Sequence, residues 1–176
     1  MPVPDFSPGE VLTAAAMDSI GLWLVKTQAI TAGTSSVSVT NAFSTDYDSY
    51  RIVVSNGTLA GLAVISGQMT GSTASYYGAF TGTAIATNTF AGVSNNNVAS
   101  WSILGIGSTT FLSLAFDVHD PFLARPTRVG PANYASTTDA GVFNGLHNVA
   151  TSYTGITLAT ASTFQSGTVR VYGYRK

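Results

Sequence analysis

From Gly21 onward the chain alternates apolar and polar residues with a period of two, the spacing that puts successive side chains on opposite faces of an extended strand. Leu22-Trp23-Leu24-Val25 opens a strand that continues toward Ile30, and Ser36–Thr40 alternates cleanly as a half-buried one. Tyr50–Val54 follows, and Asn56-Gly57 after it is a favoured pair for a tight hairpin turn. Leu62–Met69, Tyr76–Thr81, Trp101–Ile106 and Phe111–Val118 continue the series, then Gly141–Asn148, Thr154–Thr160 and Thr168–Tyr174. Leu112, Leu114, Phe116 and Val118 share one face of their strand. In the last strand Val169 and Val171 face one way, with Arg170, Tyr172 and Tyr174 opposite. Nine or ten short strands separated by Gly-rich turns predict an all-β fold, an antiparallel β-sandwich or barrel. No crossover helices are available for a parallel sheet. A jelly roll is the favoured form, because the stretches Asn88–Asn97 and Pro121–Ser136 are long enough for Greek-key connections.

The first twenty residues follow another rule. Pro2, Pro4 and Pro8 bias Met1–Phe6 toward an extended arm. Ser7-Pro8-Gly9-Glu10 is a helix start, with Ser as N-cap, Pro at the first helical position and Glu three residues after the cap. The helix is expected to reach about Ser19, with Val11, Leu12, Ala15 and Ala16 as its apolar stripe. A helix this short is marginal alone in water, so it needs a surface to dock on. Two units result: an arm and anchoring helix over 1–20, and a β domain over 21–176.

Composition narrows what such a fold does. The 176 residues carry 9% charged side chains and a net charge of −1, against the ~25% charged residues of ordinary soluble domains. The wettable surface comes instead from 24 Thr, 20 Ser and 9 Asn. Seven Lys and Arg spread along the chain make no basic stripe, so no nucleic-acid partner is expected. No signal peptide is visible, and Ile20–Val25 is too short to cross a bilayer, so no membrane insertion is expected. The absence of cysteine excludes disulfides, thiolate metal sites and cysteine nucleophiles.

Catalytic strings are equally absent: no HExxH, GxSxG, phosphate-binding GxxxxGK or dinucleotide GxGxxG occurs. Asp117-Val118-His119-Asp120 is the densest titratable cluster, and reads either as a base or metal ligand beside a carboxylate or as a strand end entering a turn. Asp46 and Asp48 share a face if extended, so calcium at that pair or at Asp117/Asp120 is left open. With two histidines and few carboxylates the chain is expected not to be an enzyme, and no cofactor is expected. Tyr76, Tyr77, Phe80 and Phe90 offer ring faces suited to sugars, although adjacent tyrosines on a strand split between its two faces. Asn95-Asn96-Asn97 reads as an exposed loop tip, where recognition commonly sits. Tyr76, Tyr77, Asn95, Asn96 and Asn97 are therefore the candidate receptor contacts.

Phe6-Ser7-Pro8-Gly9-Glu10-Val11-Leu12-Thr13-Ala14-Ala15-Ala16-Met17-Asp18 resembles the F-x-x-G-E-V-L-T-A-A-x-M-N segment at the N-terminus of tailed-bacteriophage virion proteins, with Asp18 where Asn is commoner. Leu24–Gln28, Phe43–Val54 and Gly167–Tyr174 are also similar to phage β-sandwich proteins, so the likeness covers about a third of the chain. It implies a non-enzymatic, often trimeric particle component whose N-terminal segment, here Phe6, Val11, Leu12, Ala15 and Met17, anchors it to other virion proteins of the tail or capsid. The expected location is the virion, assembled in host cytoplasm. Three roles stay open: a tail fibre or tip protein contacting a host cell-surface glycan through loop tips, a head decoration protein bracing the capsid, and a stand-alone carbohydrate-binding or hydrolytic β-sandwich. Neutral Thr- and Ser-rich faces favour self-association, because copies can pack without desolvating ions. A homotrimer is expected.

Overall fold

The structure is a computed structural model in which residues 21–174 are described. The arm, the anchoring helix and Phe6, Val11, Leu12, Ala15 and Met17 lie outside those residues. Between them run twelve strands: β1 (Leu22–Ala29), β2 (Ser36–Val39), β3 (Ser49–Leu59), β4 (Ala63–Met69), β5 (Tyr76–Ala84), β6 (Thr89–Val98), β7 (Trp101–Gly107), β8 (Leu112–His119), β9 (Thr127–Ala135), β10 (Asp139–His147), β11 (Ile156–Thr160) and β12 (Phe164–Tyr174). No helix occurs among the described residues. The protein is all-β, as the period-two pattern predicts.

All pairing is antiparallel, and the strands hydrogen-bond into one large sheet that branches at β8. One run reads β1-β12-β3-β8 and continues through β9, β10 and β5 to β6 at its far edge. The other reads β2-β11-β4-β7, and its one ladder pair to the first, among the described residues, is Gly107–Leu112 of the β7–β8 hairpin. Both runs contribute alternate residues to one core. From the first come Tyr50, Ile52, Phe116, Val118, Val171, Phe143 and Tyr76; from the second come Val39, Ile156, Leu158, Ile65, Met69, Trp101 and Leu104. Each large aromatic among them removes roughly 150–250 Å² from water, which makes this cluster the main stabilising term.

Three stretches depart from the sequence reading. Asn56-Gly57 is not a hairpin turn. Asn56 has φ 54° and β3 continues to Leu59, so the pair forms a bulge, with Asn56 and Gly57 opposing only Gly167 of β12. A positive φ serves a bulge as well as a turn, and the two share one sequence signature. Asn88–Asn97 is not a loop but nearly the whole of β6, paired with β5 from Thr89 to Val98. Pro121–Ser136 contains β9, whose Pro131 opposes no residue in the ladders to β8 and β10 and so withholds no needed N–H.

Candidate functional site

The registers align one residue from each of seven strands into a continuous row. Tyr77 on β5 faces Leu146 on β10, which faces Arg128 on β9, then His119 on β8. Ser49 on β3, Tyr174 on β12 and Leu22 on β1 complete it. Directly opposed residues share a face of a sheet. This face is the outer one, because the alternate residues Tyr76, His147, Val129, Val118 and Tyr50 are buried. With strands ~4.8 Å apart, the six steps span roughly 29 Å. The row follows one rim of the sheet, where loops 40–48, 70–75, 120–126 and 148–155 lace together. Asp120 N–H donates to Asp48 C=O at 2.7 Å, Tyr153 N–H to Pro121 C=O at 2.8 Å and Asn148 N–H to Ser75 C=O at 2.9 Å.

At the centre of this rim, polar side chains cross-link three strands. The Tyr174 hydroxyl donates to Asp117 Oδ1 at 2.7 Å, and Arg51 Nη1 donates to the same carboxylate at 3.3 and 3.4 Å. Burial, reinforced by the hydrogen bond to Asp117, pushes the Tyr174 phenol above its ordinary value. Hydrogen bonding to Tyr174, with the charge of Asp117 added, holds the Arg51 guanidinium above its own. His119 Nδ1 lies 3.0 Å from Ser49 Oγ. Asp117, two residues before His119, is committed elsewhere: its hydrogen bonds run to Arg51 and Tyr174.

Among the described residues, no group of three His, Asp or Glu side chains is placed to hold a metal ion. Asp46 accepts a hydrogen bond from Ser44 Oγ at 2.9 Å, and Asp120 accepts one from Arg125 Nη2 at 2.6 Å.

The candidate receptor contacts separate. Tyr76 is fully buried; its hydroxyl accepts from Met69 N–H at 2.7 Å and donates to Ser72 C=O at 3.2 Å. Its ring stacks on His147 with centroids 4.2 Å apart and meets Trp101 edge-on at 5.0 Å. Tyr76 is therefore a core residue and presents nothing to a receptor. Desolvation holds the His147 imidazole below its ordinary value, while the Ser75 carbonyl partly offsets this. Asn95 is committed as well: its Oδ1 accepts from Ser102 N–H at 3.0 Å, which ties β6 to β7. Asn96 and Asn97 are exposed, but on a strand: with Asn97 at φ 56° they form a bulge opposite Tyr77 rather than a loop tip.

Tyr77 joins a concave feature. With Leu146, Arg128 and Asn144 it walls an open groove of about 310 Å³, floored by the backbone of Gly78 and Gly145. Arg128, Asn144 and Leu146 lie on two strands far away in sequence, and only the register brings them to Tyr77.

No family model, curated protein or solved structure matches the chain.

Proposed function

We propose that the protein is a non-enzymatic structural component of a tailed-phage particle, a fibre or tip protein tethered through residues 1–20 and touching the host surface through its rim. The observation that carries this reading is the division of the surface. One outer face gathers Tyr77, Arg128, His119, Arg51, Asp117, Tyr172 and Tyr174. By contrast, Ile52 to Phe116, which includes β4–β7, contains no Asp, Glu, Lys, Arg or His at all. A face rich in tyrosine and arginine suits recognition. An uncharged flank suits contact between copies of one chain, because no like charges meet across it.

The strand orders β1-β12-β3-β8 and β2-β11-β4-β7 support a jelly-roll sandwich, each run being one sheet and their apolar faces meeting in the shared core. In this reading β5–β6 and β9–β10 are hairpins inserted into the roll, extending its first sheet. The homotrimer is supported by the uncharged β6 edge, where Phe90 is 76% and Val93 49% exposed.

The test is deletion of residues 2–19. The shortened chain keeps a far-ultraviolet β spectrum and a cooperative unfolding transition but disappears from purified particles by quantitative mass spectrometry. Normal incorporation of the shortened chain overturns the tether. Electron microscopy of labelled particles places the label on the tail; a label distributed over the shell favours the decoration role instead.

A further inference from the structure

We infer that the groove between Tyr77 and Arg128 is a binding subsite for an acidic sugar, with the pyranose ring lying on Tyr77 and Leu146 and its carboxylate on Arg128. This rests on the host-contact reading above and names the ligand.

Four features carry it. First, Tyr77 and Leu146 are half-buried neighbours across the β5–β10 ladder, so their exposed carbons form a fixed apolar wall. The C–H face of a pyranose is complementary to such a wall.

Second, Arg128 is exposed and has no ion-pair or hydrogen-bond partner among the described residues; of the acids nearest it in sequence, Asp117 and Asp120 are held by Arg51 and Arg125, and Asp139 accepts from Thr138 Oγ1. Its planar fork therefore stands free to take a carboxylate through two parallel N–H···O bonds.

Third, Asn144 lies two residues before Leu146 on the same face, exposed and without a hydrogen-bond partner among the described residues. Its carboxamide oxygen lies over the backbone of Gly130, so the amide stands at the margin of a groove lined almost wholly by carbon, where it can meet a sugar hydroxyl.

Fourth, the floor is bare and rigid. A Cβ on Gly78 would come within 2.6 Å of the Phe143 ring, and one on Gly145 within 2.5 Å of the Trp101 indole. Glycine at both positions lets the sheet close directly onto these buried rings, so a ligand meets a preformed surface with little left to order. An open groove of this size takes one or two sugar rings, and isolated contacts of this kind give weak affinity that gains from several copies.

The experiment uses the full chain titrated by calorimetry with a short galacturonic-acid oligosaccharide and with the same oligosaccharide after carboxyl reduction. The acidic form binds in the submillimolar to millimolar range and the reduced form at least tenfold more weakly. Arg128→Gln brings the acidic form down to the level of the reduced one. Tyr77→Ala weakens both at least tenfold. Lys26→Gln, at the opposite end of the sheet, changes neither.

Equal binding of the two forms, an unaffected Arg128→Gln variant, or no binding by a chain with an unaltered circular dichroism spectrum overturns the subsite. Host-cell binding separates this inference from the reading beneath it. Cells bound equally by the chain and by both groove variants leave the attachment role standing and overturn the groove. Oligosaccharide binding without cell binding upholds the groove and overturns the attachment role.

Discussion

The rim row and the β5–β6 hairpin belong to one run of eight strands, yet they meet solvent in opposite ways. Along the rim between β8 and β12, polar side chains are tied to one another: Asp117 to Arg51 and Tyr174, and His119 to Ser49. At β6 a row of backbone groups is left over, since among the described residues the strand pairs only with β5 and its other side has no ladder partner. Phe90 and Val93 stand beside that unpaired edge, and Ile85 is 52% exposed at the hairpin tip. Natural edges of this length are usually guarded by a lysine, a proline or an inward charge. TFAGVSNNNV has none. In the proposed role, side-chain chemistry selects a partner at the rim, whereas the hairpin offers a neutral surface suited to a second copy of the chain.

The largest effect expected from breaking this contrast is at the edge. Placing charges there with Phe90→Asp and Val93→Lys is expected to convert the proposed trimer to monomer in sedimentation velocity, while the unfolding free energy of the monomer changes by no more than ~0.5 kcal/mol, as for other surface substitutions. A trimer that survives both changes removes β6 from the interface.

Next in size is the rim cross-link. Asp117→Asn discards a charged acceptor that serves two donors, Arg51 and Tyr174, and lowers stability by about 1–2 kcal/mol in urea melts. It also lowers the pKa of the Tyr174 phenol, because the Asp117 carboxylate helps raise it, and spectrophotometric titration of tyrosinate reads that fall directly.

Beneath the rim, His147 supplies a pH dependence. Its folded pKa lies below the unfolded 6.5, so the folded state binds fewer protons than the unfolded one. Its contribution is complete above that unfolded value and is lost as pH falls from it toward the lowered folded one. Chemical-denaturant midpoints therefore decline on acidification through this window. His147→Gln lowers stability at neutral pH but flattens that part of the decline; an equally steep slope in the variant assigns it to another group.

The smallest effect is expected at Arg125–Asp120, an ion pair at 2.6 Å whose arginine side chain is 56% exposed. Arg125→Ala changes stability by less than ~1 kcal/mol, and the difference disappears in 1 M salt.

The strands of the body are legible because half-buried strands write their faces into the sequence as alternation, as in β2, where Val37 and Val39 are buried between exposed serines, or β11, where Ile156, Leu158 and Thr160 are buried. β6 is not, since an edge strand exposed on both sides has no apolar face to record. β9 was hidden by Pro126 and Pro131, which mark loops wherever the ladder needs every N–H, though not here. Alternation also separates Tyr76 from Tyr77 in advance, without saying which of them is inside. That depends on packing against His147 and Trp101, residues far away in the chain. The groove was beyond reach for the same reason. Tyr77, Arg128 and Asn144 are ordinary surface residues until two strand registers, Tyr77 with Leu146 and Leu146 with Arg128, set them side by side.

The position of the row along the strand ends has a mechanical meaning. Leu22 follows directly on Gly21, where the leading twenty residues join, and Tyr77 sits at the other margin of the seven strands. A particle held at one margin and a cell held at the other would load the sheet crosswise, pulling first on the outermost pair of each ladder and tending to peel strands apart like a zip. Asp117, gripped by Arg51 and Tyr174, fastens three of those strands within two residue pairs of where that peeling would begin.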